Sequence, residues 1–340
     1  MVTRSVGSRW FAVVVAALAA AGSCGAQVQG YPIEPAAPLP GAVVGASAGV
    51  SEGPPAWALQ PPSVTLPPGC DTGGPCPPGD GPLDRGGHPL TVFPRTLLWE
   101  PPLASLREAR FLGMPTGLSN GSTSGTAETS IGTTLGLLRL TPRAHPVSLQ
   151  FDAFAVVHSR FADYDALVAT DYRVGLPVSA AWGPWHGKIG YEHTSTHLGD
   201  EIQALTGQQP FDFIKDELVL GLGRYVFDER ARVYGQAGWA FSQSVPGDPS
   251  PFRFAVGAEW APRRHTGYWG RPFAAANVDF DGAVDYNASA SIQAGWMWRD
   301  PARRLSQFRV FGQYYTGYSP YGQFYDTRED WFGFGLAMDY

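Results

Sequence analysis

Twelve consecutive residues concentrate the reactive side chains of this chain: Gly190-Tyr191-Glu192-His193-Thr194-Ser195-Thr196-His197-Leu198-Gly199-Asp200-Glu201. Their chemistry depends on the element that carries them. On a helix, His193 and His197 would share a face and chelate one metal ion. On a strand, which rises ~3.3 Å per residue, they stand ~13 Å apart and hold no common ion. His193 and Ser195 behave differently, because positions i and i+2 of a strand share a face ~6.6 Å apart. A hydroxyl and an imidazole at that spacing are the nucleophile and base of acyl transfer, provided a third group orients the imidazole.

The surrounding pattern is that of strands. Tyr286, Ala288, Ala290, Ile292, Ala294, Trp296 and Trp298 make one face of the stretch 286–299, against Asn287, Ser289, Ser291, Gln293 and Arg299. Val147, Leu149, Phe151, Ala153 and Ala155 alternate in the same way with Ser148, Gln150 and Asp152. A strict period of two implies one dry and one wet face. Twelve such stretches follow one another, the first at 106–113 and the last at 331–340. An even number of strands, each near the ~9–11 residues that cross a bilayer when tilted, predicts an all-β, antiparallel, transmembrane outer-membrane β-barrel of about 12 strands. Trp182, Trp239, Trp260, Trp296 and Trp298 end these faces, as interfacial girdles would. A soluble sandwich also alternates, but it has no need of aromatic girdles.

Composition agrees. The 340 residues are 44% apolar and 13% aromatic but only 16% charged, below the ~25% of an ordinary soluble protein. A net charge of −6 offers no nucleic-acid surface, so no nucleic-acid partner is expected.

Ahead of the barrel lie two other segments. Arg4 and Arg9 precede an apolar run from Trp10 to Ala21, too short to span a bilayer and right for a signal-peptide core. Residues 1–26 are predicted to be that signal, cleaved after Ala26; acylation at Cys24 is the alternative. Residues 27–96 hold about half of the chain's 31 prolines and are predicted to form an extended Pro/Gly-rich periplasmic segment. In that oxidising compartment Cys70 and Cys76 are expected to form a local disulfide; two thiols alone make no zinc site. The barrel is then 97–340.

Parity assigns the faces. Trp185, Ile189, Tyr191, His193, Ser195 and His197 share one side of their strand; His186, Lys188, Glu192, Thr194 and Thr196 share the other. The first set begins apolar, so His193 and Ser195 are expected to face lipid. On the next strand Asp216 continues the row of Leu218, Leu220 and Leu222 and is the candidate to hold the His193 ring. Asp200 and Glu201 are hard ligands for Ca²⁺ but only two of them, so no metal or other cofactor is expected outside an enzymatic reading. Asp152, Asp171, Arg173, Glu192, Arg232, Glu259, Asp279 and Arg309 are expected inside, where they either plug the lumen or line a small-solute pore. Long connections at 114–127, 198–213, 243–251 and 318–330 and short turns at 183–184 and 227–229 place both chain ends in the periplasm; the short 282–285 connection does not fit.

The Tyr191-x-His193-x-Ser195 segment resembles that of the outer-membrane phospholipase A family. That family is twelve-stranded and carries Tyr-x-x-His-x-Ser-Asn-Gly with histidine and serine facing the outer leaflet. Here the tyrosine stands one residue closer, Thr196 replaces asparagine and His197 replaces glycine, and Asp216 would take the place of an asparagine. The resemblance implies a lipid esterase with Ca²⁺. A second resemblance covers nearly the whole barrel. Leu98-Trp99-Glu100-Pro101-Pro102-Leu103, Asp171-Tyr172-Arg173 and His193 to Glu201 are similar to a bacterial envelope-protein family defined by a domain of unknown function (1207). It implies no activity, and leaves the histidine segment as an interfacial patch touching lipid or lipopolysaccharide. The chain ends on an aromatic strand residue, Tyr340, which resembles the signal read by the barrel assembly machinery. The sequence thus carries three functional expectations: a structural barrel, a pore, and a lipid hydrolase.

Overall fold

The computed structural model describes residues 89–118, 125–142, 147–163, 165–262, 270–299 and 307–339. Residues 1–26, Cys24, Cys70, Cys76 and Tyr340 lie outside them. After a short β1 (Leu90–Val92), twelve strands follow: β2 (Phe111–Leu118), β3 (Gly125–Leu140), β4 (Val147–Ala162), β5 (Ala166–Trp182), β6 (Trp185–Leu198), β7 (Ile214–Val226), β8 (Ala231–Ser244), β9 (Phe252–Trp260), β10 (Arg271–Asp281), β11 (Ala288–Arg299), β12 (Gln307–Tyr318) and β13 (Arg328–Asp339). Each pairs antiparallel with its sequence neighbours, and β13 pairs with β2 from Trp331↔Leu118 to Met338↔Phe111, which closes the barrel. No described helix is long and apolar enough to cross a membrane.

The polarity is inverted relative to a soluble core. Val174, Leu176 and Val178 of β5, Leu218, Leu220 and Leu222 of β7, and Phe332, Phe334 and Leu336 of β13 stand exposed on the outside. Arg173, Glu192, Glu217, Arg253 and Arg309 are buried inside. Such an exterior is stable only against hydrocarbon, and the β13–β2 pairing closes the wall around it: this is a transmembrane β-barrel. Trp182 and Trp260 are exposed near the end that carries the two-residue 183–184 turn, and Trp239 is exposed toward the other. Connection lengths are uneven. At the far end 199–213 and 319–327 are long while 282–287 stays short, and at the near end 261–270 is long.

The first strand begins later than the period-two pattern predicts, at Phe111 instead of 106, because residues 93–110 leave the wall. Leu90–Val92 pairs with Leu138 to Leu140 of β3, and β2 pairs with the same side of β3 between Gly125 and Ser130. One strand position is therefore interrupted, and the intervening chain enters the lumen. The wall also starts within the segment assigned by composition to the periplasmic arm.

Irregular backbone at membrane depth needs its polar groups satisfied by protein. Pro101 and Pro102 bring no N–H. Arg232 donates to the Glu100 carbonyl at 2.7 Å, and Arg110 donates to Pro102 and Leu103 at 2.6 Å each. The Leu103 N–H reaches Glu259 at 2.6 Å. Trp99 packs on His186, between Lys188 and Arg232. A Cβ on Gly221 would lie 2.9 Å from the Trp99 ring, so glycine makes room for it. On the other side of the lumen Ala104 joins an apolar cluster with Met114, Phe273, Met297, Phe311 and Trp331.

Candidate functional site

β6 carries the candidate residues between β5 and β7. Cross-strand register sets Val174 and Asp216 on either side of His193, and Tyr172 and Ile214 on either side of Ser195. All eight predicted lumenal charges point inward and His193, Ser195 and Asp216 point outward, so the alternation inferred from sequence holds along these strands. The rest of the motif turns the chain. Gly199 follows β6 and caps the N-terminus of α1 (Asp200–Thr206); its N–H donates to Val168 O at 2.9 Å, and a Cβ there would meet the Leu167 carbonyl oxygen at 1.8 Å.

His193 Nδ1 lies 2.8 Å from Asp216 Oδ1, with side chains 33% and 24% exposed. A carboxylate at that nitrogen favours the Nδ1–H tautomer and leaves Nε2 as an acceptor. Tyr191 was not assigned a role from sequence. Its hydroxyl donates to the same Asp216 oxygen at 2.6 Å. The signal that could have found it is parity: Tyr191, His193 and Asp216 all fall on the outer face, and Tyr191 pairs with Leu218, two residues from Asp216. β8 is bulged opposite the Asp216–Glu217 step, where Phe241 is inserted between the partners Ala240 and Ser242. Phe241 reaches the Tyr191 ring at 6.2 Å and Trp239 at 6.2 Å, which builds an apolar shelf beside the carboxylate. Bulges commonly re-aim side chains in this way.

Other candidates are not gathered with them. Among the described residues the Ser195 hydroxyl makes no hydrogen bond to His193. His197 packs edge-on against Tyr172 at 5.5 Å. Asp200 and Glu201 sit exposed in the first turn of α1, and no group of three or more His, Cys, Asp or Glu among the described residues is placed to hold a metal ion.

The opposite face of the same strand is locked. Glu192 takes Arg173 at 2.7 Å, Lys188 at 3.1 Å and Arg253 at 3.2 Å, and Thr196 donates to Asp171. These contacts tie β6 to β5 and, across the lumen, to β9, so the outer residues of β6 sit on a rigid support.

No curated protein matches the chain. Among solved structures it is similar to outer membrane phospholipase A from Escherichia coli, at 13% identity over 69% of this chain and 91% of that one, with a TM-score of 0.44. The Salmonella typhi outer membrane phospholipase dimer with bound calcium gives 14% identity, 71% and 94% coverage and a TM-score of 0.44. The anion-selective porin from Comamonas acidovorans gives 12%, 68% and 98%, and 0.32. Residues 88–340 match the family model described as protein of unknown function (DUF1207), and the chain belongs to that family.

Proposed function

We propose that this barrel resides in the outer membrane and hydrolyses acyl esters of outer-leaflet lipid at His193, Ser195 and Asp216. The observation that carries the reading is the 2.8 Å His193–Asp216 contact on the lipid-facing surface, with Ser195 two residues along on that face. Ser195 Oγ attacks the ester carbonyl carbon and gives its proton to His193 Nε2. The bond to the alcohol breaks, and the alcohol leaves with that proton. Water then attacks the acyl-Ser195 carbonyl, its proton passing to Nε2; the acyl–Oγ bond breaks, Oγ takes that proton back, and fatty acid departs. Asp216 orients the ring throughout. Outer-leaflet phospholipid is the substrate class, with lipopolysaccharide as the neighbouring contact, because both the apolar shelf and the reacting atoms face the bilayer.

Detergent-refolded protein, assayed with and without Ca²⁺ on phospholipid and on a long-chain ester, is expected to release fatty acid. Ser195→Ala should lower the rate ~10³-fold or more. Heat-modifiable gel mobility reports that the variant still folds. Equal release by wild type and variant, or none by either, removes the enzymatic reading.

In the orientation this requires, the far-end loops face outward and the N-terminal arm is periplasmic. Single cysteines at Gln208 and Gly247 should then react with an impermeant maleimide on intact cells, while one at Glu229 should not. All three positions lie in connections, Gln208 and Gly247 at one end and Glu229 at the other. The opposite labelling pattern inverts the barrel.

A further inference from the structure

A cavity of about 120 Å³ lies in the lumen between segment 93–110 and the far-end loops. Ser105, Leu106, Arg107, Glu108 and Arg110 line it on one side, and Phe213, Tyr321 and Tyr325 on another. Its charges are unevenly matched. Arg107, Arg173, Arg253 and Lys188 share two carboxylates: Glu192 takes three of them, and Glu217 takes Arg253 at 2.8 Å and Arg107 at 3.1 Å. These three arginines, all of which line the cavity, therefore share two carboxylates set behind its lining, one of which also holds Lys188, and their remaining N–H groups face the space. Polar nitrogens are also left over, since Arg173 is 5% exposed, yet its Nη1 has no hydrogen-bond partner, and Arg107 Nε and His158 Nε2 have none either. All three residues line the cavity. Orphaned buried nitrogens are costly and rare, and three around one space are a mark of a group meant to enter it.

The same cavity holds the opposite surplus. Asp171 accepts only from the Thr196 hydroxyl and the Gly322 N–H, and Asp279 only from the Asn277 amide. Neither has a cation within ion-pair distance among the described residues, although arginines surround them. A simple anion would satisfy the guanidinium side and be repelled by Asp171 and Asp279; a simple amine would meet the reverse. One molecule carrying both charges satisfies both sets without altering the net charge of the lumen.

We propose that this cavity binds a small zwitterion, an oxyanion directed to Arg173 and Arg107 and an ammonium to Asp171 and Asp279. The volume suits a solute of about six non-hydrogen atoms, since a cavity of ~150 Å³ holds benzene. The site is independent of the lipid-facing residues, which lie on the other side of the wall.

The test is calorimetric titration of the refolded full chain with β-alanine, propionate and ethylammonium. β-Alanine should bind saturably, and propionate and ethylammonium, alone or mixed, at least about tenfold more weakly. Arg173→Gln and Asp279→Asn should each weaken β-alanine about tenfold or more, whereas Ser195→Ala should leave it unchanged. If Arg173→Gln loses heat-modifiable mobility, Arg173→Lys and Asp279→Asn carry the test. No binding of β-alanine, or propionate or ethylammonium alone binding as tightly, overturns the proposal.

Discussion

The two faces of β6 alternate residue by residue between opposite solutions to the same problem. Glu192, on the inner face, has three cations on its carboxylate and is 3% exposed. His193, its neighbour on the outer face, has one partner ring nitrogen engaged and a third of its side chain open. Inside, polar groups are buried and must be matched by other polar groups, so the charges there build structure. Outside, polar residues are few, and each stands among Leu, Val and aromatic side chains that have no use for it. The His193–Asp216 pair joins β6 to β7 on that outer surface, apart from the lumenal network, and the proposed chemistry at the bilayer rests on it.

The inner face carries the largest expected effect. Residues 93–110 fill the lumen, held by Arg107 on Glu217, Arg110 on backbone carbonyls and Trp99 on His186. Wild-type protein in planar bilayers should be electrically silent. Deleting residues 97–106 leaves nine residues between Val92 and Leu112, against seven on β3 between Leu138 and Ser130, enough to complete the interrupted strand. That variant should show steady single-channel steps. Wild-type steps of the same size would mean that the segment does not obstruct the lumen.

Next is the contrast within β6 itself. Glu192→Ala removes the common partner of three buried cations and should destabilise the barrel by about 3–5 kcal/mol, whereas His193→Ala, outside, should stay within ~1 kcal/mol. Tryptophan fluorescence during denaturant unfolding from lipid vesicles reads both. Equal costs would erase the distinction between the faces. For turnover the ranking reverses: Asp216→Ala should lower ester hydrolysis about 10²-fold or more, since the ring loses its orienting carboxylate.

How much was legible in sequence follows the same division. Strands β3 to β13 are visible because alternation is a local property, and their faces are right because parity needs no knowledge of neighbours. Asp216 could be placed beside His193 from parity and strand order alone, since adjacent antiparallel strands bring outward residues near one level together. The lumenal segment was not legible. Leu97 to Ser105 has no period of its own, the alternation from 106 to 110 points to a strand that does not form there, and the segment's place is set by contacts more than a hundred residues away, such as Leu103 with Glu259 and Arg107 with Glu217. The Pro101-Pro102 pair, which no strand of a closed wall accommodates well, was the available signal that the chain leaves the sheet there. The hydrogen bond from Tyr191 was hidden for another reason, because it depends on the exact Asp216 rotamer and on one long side chain reaching diagonally across the pair.

That hydrogen bond gives the smallest effect and the finest test of the outer face. Asp216 Oδ1 receives both Tyr191 at 2.6 Å and His193 at 2.8 Å. The phenol touches neither the reacting bond nor the imidazole, so it acts by positioning: it restrains the carboxylate that in turn restrains the ring. Tyr191→Phe keeps the apolar shelf against Phe241 and removes only the hydroxyl, worth about 0.5–1.5 kcal/mol, or two- to tenfold in rate. A positioning role confines the loss to kcat and leaves KM for a long-chain ester near wild type, because the surface that meets the acyl chain is intact. In Asp216→Ala the same substitution should then do nothing further, since the carboxylate it restrains is gone. Additive losses in the double variant would show that the phenol acts on turnover through some contact other than Asp216.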